Sequence, residues 1–128
     1  MAKKSQLKLP PQNIEAEQAV LGSILIDKNA IYRVADILEP RDFYSPAHEK
    51  IYETIIDLYE KHQPIDVLSL TSRLKEKDLL KDVGGSSYIA ELTNRVATAS
   101  HVAHHAKVVK EKKVLRDLIE ASAEITED

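Results

Sequence analysis

Residues 100–128 contain no Gly or Pro, so this sequence predicts one uninterrupted long helix with Ser100 as its N-cap. With about 100° between successive residues, one side of the helix is apolar. This side carries Val108, Val114, Leu115, Leu118, Ile119, Ala121 and Ile125. In the first two turns of the helix, other apolar residues lie on the opposite side, at Val102, Ala106 and Val109. A helix whose apolar side changes in this way needs two different surfaces to pack against.

The first of these sides can pack on the preceding part of the chain, but no later sequence is present to cover the second. An exposed apolar face of this size is typical of a protein–protein interface. We therefore predict self-association through Val108, Leu115, Leu118, Ile119 and Ile125. No capping residue ends the helix near Ile125, so we expect the chain to be a piece of a longer protein.

Residues 13–99 predict a compact head of five helices, preceded by a flexible polar tail at residues 1–12. The predicted N-caps are Asn13, Ser45, Asp66, and Ser86 or Ser87. Three Gly, one Phe and no Trp argue against a β-sandwich or barrel, which would need turn glycines and aromatic strands. The predicted fold class is therefore all-α, with the head followed by a long arm helix at residues 100–128.

The first helix of the head has two further features. Ala19, Gly22 and Ser23 place small residues at i, i+3 and i+4. A glycine inside a helix costs about 1 kcal/mol relative to alanine, so we expect another backbone to approach closely there. Glu15 and Glu17 are predicted to complement the helix dipole rather than to act as acid/base catalysts.

Basic residues concentrate on the long helix, at Lys107, Lys110, Lys112, Lys113 and Arg116. They predict either a solvated face balanced by Glu111, Asp117 and Glu120, or a surface that contacts phosphate. The net charge of −3 gives no general attraction for nucleic acid. We favour the solvated face and expect little direct contact with DNA.

The sequence predicts no catalytic or cofactor-binding residues. A P-loop requires G-x-x-x-x-G-K-[ST], and neither Gly22, Gly84 nor Gly85 precedes Lys-Ser or Lys-Thr. The chain has no Cys, no secretory signal and no apolar run of about 18 residues, which predicts a cytoplasmic protein with no membrane partner.

His101, His104 and His105 could offer metal ligands on one helix face, with His48 and His62 completing a set. A structural zinc site normally needs four ligands, and no H-E-x-x-H pattern is present, so we predict no metal site. Polar packing at the arm interface is the favoured role of the three arm histidines. Their protonation near pH 6 would then weaken that interface.

Residues 10–23, PPQNIEAEQAVLGS, closely resemble the opening of bacterial replicative DNA helicases of the DnaB type. The likeness continues in order through Asp42-Phe43-Tyr44 with His48, Ile51 and Tyr52, then Pro64-Ile65-Asp66, then Gly84-Gly85 with Tyr88, Ile89 and Leu92, and finally residues 106–112. The family often has Pro-Ser where Ala97-Thr98 stands, which predicts a less rigid linker here.

The resemblance implies that the arm is the first half of a helical hairpin. It also implies that such hairpins pair into dimers, and that three dimers form a collar above a hexameric motor ring. Primase and a helicase loader are the partners that the family implies. ATP and Mg would bind in a RecA-like motor domain, which these residues do not contain.

Three other functions remain open from the sequence. The helicase-binding domain of a primase has a similar helical architecture, although the ordered match over residues 10–23 disfavours it. A small DNA-binding protein could use the basic long helix. A metal hydrolase could be built on the histidines.

Overall fold

The computed structural model describes residues 9–127, and the side chains of residues 9–123. Within these residues the α-helices are α1 Ile14–Ile26, α2 Ala30–Val34, α3 Pro46–Glu60, α4 Val67–Glu76, α5 Gly85–Asn94 and α6 Val102–Glu127. A short 3₁₀ helix, Pro40–Asp42, lies between α2 and α3. No strand occurs in the described residues, and the predicted all-α class is confirmed. None of these helices combines the length and apolar character needed to cross a bilayer.

Three predicted N-caps are confirmed by hydrogen bonds from the backbone amide three residues later. The acceptors are Asn13 Oδ1 at 2.9 Å, Ser45 Oγ at 3.3 Å and Asp66 Oδ1 at 2.7 Å. Each bond satisfies an amide that has no partner within its own helix. The starts of α1, α3 and α4 therefore follow from local sequence.

Two predicted helix starts are wrong. α5 begins at Gly85 after Gly84, whose φ of 108° puts it in the left-handed region, so Ser86 and Ser87 already lie inside the helix. The long helix begins at Val102 rather than directly after Ser100. The Ser100 amide donates instead to Thr98 Oγ1 at 3.2 Å, which keeps Ser100 in the preceding turn.

α1 lies at the centre of the head, where it packs against α3, α5 and α6. A Cβ atom added to Gly22 would lie only 2.2 Å from the backbone oxygen of Leu92 in α5. The predicted close approach of another backbone is therefore confirmed. It explains why α1 tolerates a glycine in its interior.

The first part of α6 belongs to the same core. Val102, Ala106 and Val109 are buried and face the head, as the sequence predicted for this side of the helix. Beyond Val109, none of the α6 side chains up to residue 123 is buried. The long helix thus leaves the core after about two turns.

Candidate functional site

An exposed apolar stripe on α6 is the strongest candidate for a functional surface. We call Val114, Leu115, Leu118 and Ile119 the stripe; their exposed fractions are 47%, 43%, 60% and 57%. Single exposed apolar residues are ordinary on soluble proteins. Four on one side of one helix form a continuous patch of the kind that marks an interaction surface.

The predicted self-association residues do not all have the same environment. Leu115, Leu118 and Ile119 are exposed in the stripe, whereas Val108 is half-buried against the core of the head. The side chain of Ile125 lies outside the described residues. Val114, on the same side of the helix, adds to the exposed surface.

A cleft of about 570 Å³ adjoins the head-proximal end of the stripe. It is lined by Ile37, Lys107, Lys110, Glu111, Val114 and Leu115. Since two of these residues belong to the stripe, the accessible surface continues from the arm to the region that follows α2.

Two basic residues of α6, Lys110 and Arg116, are not simply solvated, and this corrects the sequence-based interpretation for these two; Lys113 pairs with Asp117 at 3.1 Å, as that interpretation predicted. Arg116 donates to the backbone oxygens of Pro11 at 2.8 Å and Asp42 at 2.9 Å. Its guanidinium also lies 5.4 Å from the centre of the Tyr44 ring. Lys110 Nζ donates to the buried carboxylate of Asp42 at 3.1 Å. The Asp42 carboxylate is buried and therefore needs hydrogen-bond donors such as the Lys110 ammonium.

Glu17 lies in the first turn of α1, where the sequence predicts a complement to the helix dipole, and it has further partners that the sequence did not indicate. Its carboxylate is buried and accepts hydrogen bonds from the amides of Tyr44 at 2.7 Å and Ser45 at 3.3 Å. It also lies 2.8 Å from His48 Nδ1. Glu17 therefore ties α1 to the start of α3, while Glu15, two residues earlier, is exposed.

Tyr88 extends this buried cluster to α5. Its hydroxyl lies 2.6 Å from His48 Nε2 and accepts a hydrogen bond from Gln18 Nε2 at 3.0 Å. A neutral His48 satisfies every partner if Tyr88 donates to Nε2 and Nδ1–H donates to Glu17. A histidine–carboxylate pair is used in general acid/base catalysis, but both of these side chains are only 2% exposed and no substrate atom can reach them. The buried cluster of Glu17, His48 and Tyr88 therefore joins α1, α3 and α5.

The arm histidines lie near one another at the start of α6. His101 and His104 are exposed and His105 is half-buried, with the rings of His104 and His105 5.7 Å apart. Burial, and then the proximity of His104 and His101, lower the pKa of His105 below its ordinary value of 6.5. Among the described residues no group of three His, Asp or Glu is placed to hold a metal ion.

Comparison with known sequences identifies close relatives. The profile of the family described as "DnaB-like helicase N terminal domain" matches residues 9–111. Replicative DNA helicase DnaC of Bacillus subtilis (strain 168) is 45% identical over 121 residues, which cover 94% of this chain and 27% of that protein. Replicative DNA helicase DnaB of Geobacillus stearothermophilus is 41% identical with the same coverage. The chain thus spans about a quarter of the length of these curated relatives.

Solved structures agree with the sequence matches. The N-terminal domain of DnaB helicase from Mycobacterium tuberculosis superposes with a TM-score of 0.91 at 40% identity, over 93% of this chain and 83% of that one. A DnaB-like replicative helicase, described together with its interactions with primase, gives a TM-score of 0.78 at 36% identity. That match covers 90% of this chain and 27% of the helicase chain.

Proposed function

This chain belongs to the DnaB-like helicase N-terminal domain family, and we propose that it provides the assembly and partner-docking surface of a hexameric, ATP-dependent replicative DNA helicase. The observation that carries the proposal is the stripe of Val114, Leu115, Leu118 and Ile119, which is exposed on a helix already anchored to the head. The family profile ends at residue 111, before the stripe begins. The exposure of the stripe therefore supports self-association with an observation outside the residues that the family profile matches.

The size of the stripe indicates how strong self-association can be. Complete burial of an aliphatic side chain contributes about 2 kcal/mol. Because the four side chains are about half exposed, covering them contributes roughly 4 kcal/mol per chain and roughly 8 kcal/mol in a symmetric pair. Association itself costs about 4–15 kcal/mol. The stripe alone thus supports a weak dimer, whose population depends on concentration.

The further partners follow from the family. We propose that the arm is the first half of a helical hairpin, that paired hairpins make dimers, and that three dimers form a collar. The structural similarity to a DnaB-like helicase described with its primase interactions supports primase as a partner of the head. A helicase loader is a further proposed partner. ATP and Mg would act in a motor domain elsewhere in the helicase, in the cytoplasm.

The basic side of α6 gives little support to the rival DNA-binding function. Lys110 binds Asp42 of the head, Arg116 binds the backbone oxygen of Pro11, and Lys113 pairs with Asp117 at 3.1 Å. A binding surface for nucleic acid depends on clustered cations that are free to meet phosphates. We therefore propose little direct contact between this domain and DNA.

The test replaces the centre of the stripe with charges, by Leu115→Asp together with Ile119→Asp. Each unpaired carboxylate in a buried interface costs several kcal/mol, and a symmetric pair of the double variant would hold four of them, so their total cost exceeds what the stripe contributes. We expect sedimentation equilibrium over a concentration series to show association of the unmodified chain and a monomer for the double variant. Leu68→Asp is the matched control, because Leu68 is 76% exposed on α4, away from the stripe.

Two results would reject self-association through this surface. The first is the same oligomer for the double variant and the unmodified chain. The second is a monomeric mass for the unmodified chain at every concentration. Adding purified primase then tests the docking role, since a helicase domain should bind primase whereas the helicase-binding domain of a primase should not.

A further inference from the structure

We propose that Arg116 is a positioning residue: with Lys110, it holds α6 on a seat formed by Pro11, Asp42 and Tyr44, and so fixes the direction in which the stripe faces. The importance of that direction for assembly rests on the self-association proposed above. The attachment of the arm to the seat is a separate claim about this chain alone.

Arg116 joins three segments that are remote in sequence. Its Nη1 donates to the Pro11 oxygen at 2.8 Å, and its Nη2 to the Asp42 oxygen at 2.9 Å. The planar fork of a guanidinium suits two acceptors at fixed positions, and its face can stack on an aromatic ring such as that of Tyr44. A lysine has neither the fork nor the flat face, so the geometry requires arginine.

Asp42 gives the arm a second point of attachment. Its carboxylate is buried, accepts the Glu39 amide at 2.8 Å and also accepts Lys110 Nζ at 3.1 Å. Lys110 and Arg116 are six residues apart, which is about 9 Å along a helix. A single contact would leave the helix free to pivot, whereas two separated contacts define the direction of its axis.

Buried apolar side chains do not fix the direction of the outer part of α6, beyond Val109. Val109 is the last buried side chain of the helix up to residue 123. Beyond it, the contacts that Lys110 and Arg116 make with the head are polar. Leu118 lies about 160° around the helix from Arg116. Arg116 therefore holds the helix with Leu118 on the side opposite the seat.

Hydrogen bonds in the interior of the head fix the loop that carries Tyr44 of the seat. The Glu17 carboxylate binds the amides of Tyr44 and Ser45, and pairs with the buried His48. Because these bonds lie in the interior, the loop that carries the seat is fixed to α1 and α3. The arm is thus attached to a rigid part of the head rather than to a mobile loop.

The test measures the direction of the arm by electron spin resonance. The chain has no native Cys, so nitroxides on Glu53→Cys, exposed on α3, and Ala123→Cys, exposed on α6, report one intramolecular distance. Each labelled chain is diluted with an excess of the same chain without labels, which removes distances between molecules whether or not the chain associates. We expect one narrow distance distribution for the parent chain.

Arg116→Gln should broaden this distribution roughly twofold, since it removes the fork that fixes the outer helix. Arg116→Lys should broaden it as well, because the charge alone does not reproduce the two bonds. Arg95→Gln is the matched control: Arg95 bonds Glu91 within α5 at 3.0 Å, and its removal should leave the distribution narrow. Unchanged circular dichroism would show that the arm has pivoted and not unwound.

A distribution that stays narrow in Arg116→Gln overturns the proposal. If that variant folds poorly, Lys110→Met provides the same test at the other attachment point, and a narrow distribution there also counts against the seat. In chains with an intact stripe, Arg116→Gln should weaken dimerisation about tenfold by loss of preorganisation. An unchanged dissociation constant would reject the link between arm direction and assembly, while the stripe variants test self-association itself.

Discussion

The two parts of α6 use the same kinds of residue for opposite purposes. In the first part, Val102 and Val109 are buried against the head; in the second, Leu115, Leu118 and Ile119 are exposed. The two sets lie on different sides of one helix, and only the first set is buried in the core with α1. An apolar side chain of α6 stabilises the fold where its side of the helix packs on the head, and remains available to a partner where no part of the head covers it.

This difference separates fold stability from assembly within a single helix. The buried set is part of the free energy of unfolding of the head. The stripe contributes little to that free energy until something covers it. Substitutions in the two parts should therefore divide into those that unfold the chain and those that leave it folded but unable to associate.

The largest expected effect comes from placing the same charge in each part of the helix. Val109→Asp puts a carboxylate with no partner into the core and should lower the free energy of unfolding by about 3–5 kcal/mol. Leu118→Asp puts it on an exposed surface and should change that free energy by less than about 0.5 kcal/mol. Urea unfolding followed by circular dichroism, at a concentration where the chain is monomeric, measures both.

Similar losses of unfolding free energy in Val109→Asp and Leu118→Asp would contradict the distinction between the two parts of α6. They would mean that the stripe already contributes to the stability of the head. A large loss in Leu118→Asp alone would indicate that this part of α6 folds only when another surface covers it.

The next effect concerns two glutamates two residues apart in α1. Glu17→Gln replaces a buried carboxylate that receives two amides and faces His48, so one amide hydrogen of the new side chain must point at another donor. We expect a loss of about 2–3 kcal/mol in the free energy of unfolding. Glu15→Gln, at an exposed position, should cost less than about 0.5 kcal/mol. Equal and small losses would show that the buried cluster contributes nothing to folding.

Features that depend on nearby residues could be predicted from the sequence. The caps at Asn13, Ser45 and Asp66 need only an amide three residues away. The close approach at Gly22 follows from the cost of a glycine in a helix, although the sequence did not identify Leu92 as its neighbour. The apolar stripe likewise follows from the period of one helix.

Features that depend on tertiary partners could not be predicted in this way. The position of Glu17 in a first helical turn predicts its interaction with the helix dipole, but not its bond to His48, which the fold brings from 31 residues away. In the sequence Arg116 belongs to a basic helix face, yet its acceptors are backbone oxygens 105 and 74 residues earlier. Backbone acceptors leave no signal in the side-chain pattern, so the seat was not predictable.

The smallest expected effects are two steps in the pH dependence of stability, one from the arm and one from the head. Burial, followed by the nearby His104 and His101, lowers the pKa of His105 below 6.5. The unfolded chain therefore binds more protons than the folded chain in this range, so stability falls as the pH drops below about 6.5. In the head, a hydrogen bond from Arg73 is the main reason that the pKa of Asp57 lies below 3.8. That pair stabilises the fold above about pH 3.8, and its contribution is lost as the pH falls through the lowered pKa.

These steps can be separated because they belong to different parts of the molecule. The midpoint of urea unfolding, measured from about pH 8 to about pH 3, should decrease first in the histidine range and again in the carboxylate range. His105→Gln should remove much of the first decrease and leave the second, because its neutral side chain cannot take up a proton. Arg73→Gln should reduce the second decrease and leave the first, since Asp57 then loses its main hydrogen-bond donor. A first decrease that persists in full without His105 would mean that protonation of the arm does not couple to the packing of α6 on the head.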